Sequence, residues 1–162
     1  MLFRSTGPAA VGDLRPGTVV RIKAAVDERG RGGAPLRALT IVTPTADFMP
    51  EAVRPDHIDV IVASVVSLRG QTLVVRVDAG KLRRLTFTLA ADAAVTVDGA
   101  RLDLVAAGDA VEIKGRLWSG EGSTGAGTIF ASHVTVAKQP PARPESRAVA
   151  VGAGAGGGRS VE

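Results

Sequence analysis

The sequence predicts an all-β protein built on a small OB-like barrel, closed or partly open, of about six strands. Three observations lead there. Short runs with apolar residues at every second position recur between Gly- and Asp-containing turns, the spacing of an all-β unit. Apolar residues make up 45% of the chain while aromatics are only 3% and Tyr is absent, so an aliphatic, Val-rich core is implied. The run that starts at Gly108 also has a partial copy that starts at Gly17, and an internal repeat is the strongest organising signal a chain can carry.

Taken in order, Leu2-Phe3-Arg4-Ser5 is what CTCTTCCGATCT encodes in one frame, the end of a widely used sequencing adapter. Because the chain also opens in mid-module, a fragment with a non-native start is expected. Residues 11–17 form a turn, and in the strand 18–23 Val20 and Ile22 alternate with Arg21 and Lys23. A Gly-rich charged loop over 27–35 leads to a second strand, 36–42. This hairpin matches residues 105–136: Gly17 falls on Gly108, Val20 on Val111, Ile22 on Ile113, Ala38 on Ala131 and Ile41 on Val134. In both copies two residues separate the small Ala from the next inward aliphatic, which breaks the alternation and predicts a bulge. Residues 1–43 thus read as a truncated module with unpaired strand edges, which predicts self-association.

Pro44, Pro50 and Pro55 make 44–56 a linker, since proline disfavours helix and paired strand alike. The barrel itself is assigned to 57–138. Its strands are 58–68, 72–77 with Leu73, Val75 and Val77 inward, 84–89 with Leu85, Phe87 and Leu89 inward, and a short one at 94–97. A helical turn or loop over 102–107 precedes the strand 110–117, with Val111, Ile113 and Leu117 inward, and a Gly/Ser loop precedes the last strand, 128–137. A unit this small buries only about 60–65% of its unfolded surface, so modest stability is expected. Residues 139–162, rich in Pro, Gly and Ala, hold too little apolar surface to offset their ordering entropy and read as a disordered tail.

The frame Ala63-x-Val65-x-x-Leu68-x-Gly70-x-Thr72-Leu73-x-Val75, then Gly108-Asp109-x-Val111-x-Ile113-x-Gly115, then Ala131-x-x-Val134-x-Val136 resembles the bacterial domain-of-unknown-function family 5666. The resemblance covers 57–138 and the partial copy at 11–43, with Ala63 where the family tends to have Gly. It implies small OB-like barrels, often in tandem, in exported or envelope-attached proteins, and it implies no catalytic residues.

Charge and chemistry narrow the function classes. The chain has 20 basic and 16 acidic residues, a net charge of +4 spread without a strong block of either sign. Cysteine is absent, which excludes disulfides and thiolate chemistry, and no apolar run reaches the length of a membrane span. Residues 1–10 lack the apolar core of a signal peptide. His57 sits between Asp56 and Asp59, yet neighbours along a strand alternate faces and cannot converge on a metal. His133 falls in the suspected bulge with no second ligand near it in sequence. Gly152 to Gly158 lacks the Lys-Ser/Thr of a phosphate loop. No enzyme and no cofactor are expected. The leading expectation is a structural or ligand-binding module, whose partner is a neighbouring module of the same protein or an anionic polymer. The alternative is weak binding of nucleic acid or another anionic polymer on the strip Arg76, Lys81, Arg83, Arg84, Arg116 and Trp118, since OB-type barrels bind ligands on these strands and loops. With one outward ring, that strip is short of the several aromatics that single-strand binders stack upon.

Overall fold

Val20 and Ile22 are fully buried while Arg21 and Lys23 face solvent, as period-two alternation requires of a strand with one wet face. The same alternation recurs in most strands of the computed structural model, which describes residues 2–45, 48–117 and 129–140. In chain order these are β1 (Leu2–Ala9), β2 (Val19–Ala24), β3 (Leu36–Val42), β4 (Asp59–Arg69), β5 (Thr72–Arg76), β6 (Arg84–Gly99), β7 (Ala110–Leu117) and β8 (Ile129–Ala137). Single 3-10 turns, Val11–Asp13 and Leu102–Leu104, precede β2 and β7.

The sheet order is β3-β2-β4-β5-β6-β1-β8-β7, and β3 also pairs in parallel with β6. That extra ladder closes β2 to β6 into a five-stranded barrel, which removes the edges that an open sheet would leave unpaired. The protein is therefore all-β and OB-like, with five strands in the ring and three more extending from it. Leu73, Val75, Leu85, Phe87 and Leu89 point inward as their alternation predicts.

Four features depart from the sequence reading. First, the core does not follow the expected division between 1–43 and 57–138. β2 pairs with β4 from Val19↔Ser64 to Ala24↔Asp59, and β3 pairs with β6, so the first hairpin occupies the seats that its repeat, β7–β8, would hold in a barrel made of 57–138 alone. Its edges are therefore paired on both sides, not free. Second, Val111, Ile113 and Leu117 are exposed, because β7 and β8 extend outward from β1 and not around the core. Third, residues 84–99 form one strand and not two. Between the pairs Leu36↔Leu89 and Ala38↔Ala94, β6 uses five steps where β3 uses two, so the small residues 90–93 bow out without ending the strand. Fourth, Leu2–Ala9, where no strand was expected, pairs antiparallel with β6 and parallel with β8.

Why the first hairpin wins the seat follows from its residues. Val20 faces Ile41, whereas Val111 faces Val136, so the structural match of Ile41 is Val136 and that of Leu39 is Val134, two places from the match the sequence suggests. Ala24 likewise corresponds to Gly115. The first hairpin thus offers two more buried carbons and a third, on Ala24, that is partly buried, together roughly 2 kcal/mol at about 0.8 kcal/mol for each full burial. Its loop adds a second anchor. The Thr86 N–H donates to Gly30 O and the Gly32 N–H donates to Thr86 O, both at 2.9 Å. Gly30 has φ +74°, and a Cβ there would lie 2.6 Å from Arg84 O, so only glycine lets this loop lie on β6. Of the bulges expected in both copies, the one in β8 is present: Lys114 faces His133 and Gly115 faces Ala131, leaving Ser132 unpaired, whereas Ala38 to Val42 of β3 pair with β6 without interruption.

The linker also packs on the barrel. The Asp56 N–H donates to Val26 O at 2.7 Å, and Val53 lies against the core. The expected tail from 141 onward and the Gly/Ser loop lie outside the described residues. Among the described residues, no helix is long and apolar enough to cross a membrane.

Candidate binding surface

The β5–β6 hairpin ends in a turn closed by the Val77 N–H donating to Arg83 O at 2.9 Å. Alternation sends Leu73, Val75, Leu85 and Phe87 into the barrel, so Arg76 and Arg84 must point outward, and they stand directly opposite one another. Lys81 and Arg83 are exposed in and beside the turn. The structure thus brings four of the six strip residues onto one hairpin end. Arg116 is exposed on β7, separated from β5 by β6, β1 and β8 in the sheet order, and does not belong to this cluster. Trp118 lies outside the described residues.

Two further cations belong here that the sequence reading passed over. Arg31 bridges in parallel to Thr86, and Arg29 precedes Gly30, whose main chain rests on Arg84. Both arginines are exposed. The Asp27 carboxylate holds this loop in shape by accepting the N–H groups of Arg31 at 2.8 Å and Arg29 at 2.9 Å, and the Arg31 bond first of all holds its carboxyl below the usual range. The available signal was the pair Gly30 and Gly32 on either side of Arg31, since glycines in a charged loop mark a close backbone approach.

The carboxylates within this cluster include Asp27, whose charge acts on Arg29 and Arg31, and Asp78. Arg76 pairs with Asp78 at 3.3 Å, both well exposed, an arrangement of small energetic worth. Like charges facing across a ladder are themselves unfavourable. Arg84→Thr is accordingly expected to raise stability by up to about 0.5 kcal/mol, read as a small rise in melting temperature.

The other polar groups singled out in the sequence are committed to structure. Asp59 accepts three bonds from Arg54, through the main-chain N at 3.1 Å, Nε at 3.3 Å and Nη2 at 2.6 Å, and so does not converge with Asp56 and His57. The His57 ring faces its neighbour's carbonyl, Pro55 O, at 3.0 Å. His133 is exposed and its Nδ1 lies 3.0 Å from the Ser132 hydroxyl, which itself donates to Lys114 O across the bulge. Among the described residues no group of His, Asp and Glu is arranged to hold a metal.

A cleft of about 490 Å³ between the end of β1 and the turn 106–109 contains two carboxylates, Asp13 and Asp109. Both serve as main-chain caps. Asp13 accepts the Ala10 N–H at 2.8 Å. Asp109 accepts the N–H groups of Ala106 at 2.9 Å and Gln139 at 3.0 Å, and its side chain is nearly buried beside the Lys138 ammonium, which also donates to Leu104 O. The Ala106 and Gln139 bonds, then Lys138, hold the Asp109 carboxyl below its usual range. A depressed carboxyl contributes stability above its unfolded value of about 3.9, and that contribution is lost as pH falls through the folded value. Protection of the β7 and β8 amides, taken relative to their intrinsic exchange rates, is therefore expected to fall below pH ~4, and Asp109→Asn to flatten this dependence.

Fold and surface together define a five-stranded OB-like barrel that carries a basic hairpin end and a three-strand wing. Comparison of the chain with family models, with curated proteins and with solved structures found no match.

Proposed function

We propose that this protein is a non-enzymatic β-barrel module that binds an anionic polymer weakly at the end of the β5–β6 hairpin. The observation that supports this reading is the apposition of Arg76 and Arg84 beside Lys81 and Arg83, with Arg29 and Arg31 brought alongside by the 27–32 loop. Like charges held together on a ladder are relieved when an anion bridges them. The sequence resemblance implies an exported or envelope-attached bacterial protein, where anionic glycans and extracellular nucleic acid are the polymers such a surface meets.

The test is anisotropy of a labelled single-stranded oligonucleotide and of a labelled anionic polysaccharide, titrated with protein at several salt concentrations. Four neutralised phosphates give a slope of log affinity against log salt of about −3. Arg84→Thr and Lys81→Ala each reduce that slope by roughly 0.7, while Arg116→Ala, on the distant wing, leaves it unchanged. A flat titration with both polymers at low salt rejects the binding surface and leaves a purely structural module, the second reading, which the aliphatic filling of the barrel supports.

A further inference from the structure

The wing repeats the barrel's own construction. The turn Val11–Asp13 before β2 has its counterpart in Leu102–Leu104 before β7, and Gly17 and Gly108 adopt left-handed φ values of 86° and 97° at matching places. In the barrel β3 runs parallel to β6, and in the wing β8 runs parallel to β1. The closest approaches repeat too. A Cβ on Gly99 would strike the Thr43 main chain just past β3, and a Cβ on Gly7 would strike the Lys138 main chain just past β8. β1, β8 and β7 are therefore matched to the second half of β6, to β3 and to β2. What the wing lacks among the described residues is a counterpart of residues 59–93, the meander of β4, β5 and the first half of β6.

The side chains register that vacancy. Val20 and Ile22 are fully buried under the meander, while their matches Val111 and Ile113 are 52% and 51% exposed. β2 has β4 on its second edge, while among the described residues β7 has no neighbour there. Where the wing does match a completed part of the barrel, it is already buried: Val136, matched to Ile41, is 2% exposed.

We infer that the β7 edge and its Val111/Ile113 face form a docking surface for a three-stranded antiparallel meander of the β4–β6 kind, supplied by another polypeptide, whose first strand adds antiparallel to β7. The barrel within the same molecule argues for this occupant, because that meander already covers an equivalent hairpin there. Main-chain bonds along β7 give affinity, and alternate aliphatics that meet Val111 and Ile113 give register. The small Gly115 fits the same pattern: it stands where β2 has Ala24, whose partner on β4 is Asp59.

The probe is a polypeptide with the sequence of residues 57–93, labelled with ¹⁵N and added to the unlabelled full-length protein. Saturable one-to-one binding is expected by sedimentation, with amide exchange in β7 slowed at least about tenfold and exchange in the protein's own β4 and β5 unchanged. Ile113→Asp, at an exposed position outside the barrel core, should weaken binding about 100-fold and leave the melting temperature within a few degrees. Binding that protects no β7 amides, or that Ile113→Asp leaves intact, overturns the proposal. So does exchange of labelled peptide into the barrel in place of the protein's own meander. Self-association that protects β7 before any peptide is added makes a second copy the occupant and overturns it equally.

Discussion

Ile22→Ala should destabilise the protein by about 2–5 kcal/mol, whereas Ile113→Ala, at the matching place in the repeat, should cost less than about 0.5 kcal/mol. The two residues sit in the same local pattern, Val20-Arg21-Ile22-Lys23 in one hairpin and Val111-Glu112-Ile113-Lys114 in the other, differing only at the outward Arg21 and Glu112. Their environments differ wholly. Ile22 is fully buried, with its strand seated between β3 and β4, so truncation leaves a cavity that the rigid barrel closes only in part. Ile113 already has about half its surface in water and nothing to lose on the β7 edge. For a small domain holding about 5–15 kcal/mol in total, the first substitution removes a large share of the folded population's margin. Equilibrium unfolding in urea, at constant slope, measures both. Equal losses, or the reverse order, would mean that β7–β8 and not β2–β3 closes the ring.

Removal of residues 1–43 is expected to move the second hairpin into the vacated seats. That deletion takes away β2 and β3 and also β1, the strand that holds β8 in the wing. The half-barrel β4–β6 is then left with Leu73, Leu85 and Phe87 uncovered, a large penalty because each such side chain is worth about 1.5–3 kcal/mol of burial. β7–β8 is the only described hairpin left with matching alternation. The resulting barrel of residues 57–138 should be less stable than the parent by about 2–4 kcal/mol, for want of the methylenes of Ile41 and Leu39 and of the docked 27–32 loop. Hydrogen exchange reads the outcome directly. Val111 and Ile113 amides should change from fast to protected. A soluble fragment in which they stay fast, or one that fails to fold, would show that the two hairpins are not interchangeable.

The two results bear on each other through one physical fact. Among the described residues there are two hairpins of one design and a single meander for them to cover. The preference for the first rests on a few kcal/mol, drawn from Ile41 and Leu39 against Val136 and Val134 and from the loop bonds to Thr86. Asp27 matters in the same balance, because it shapes the loop that makes those bonds.

On the surface, alternation alone placed Arg76 and Arg84 outward, since Leu73, Val75, Leu85 and Phe87 had to go inward. Their being opposite one another is a matter of the register across the connection 77–83, which only the paired strands show. Arg29 and Arg31 were not legible in this way. They reach the same place through a loop whose landing site on β6 lies more than 50 residues further along the chain, and no local pattern encodes such a distance. Arg116 shows the converse. Its place at the end of a strand suggested membership of the strip, yet it lies in the wing because its whole hairpin does.

Local sequence determined the kind of structure: period-two aliphatics made strands, Gly17 and Gly108 set equivalent turns, the three linker prolines ended pairing, and together these dictated an all-β barrel. Tertiary structure alone decided which copy of the hairpin entered the barrel. That choice could not be read locally, because Val-x-Ile-Lys is the same instruction in both copies. It was settled by small differences in buried volume and by one loop's docking, terms that exist only once the meander is there to be covered.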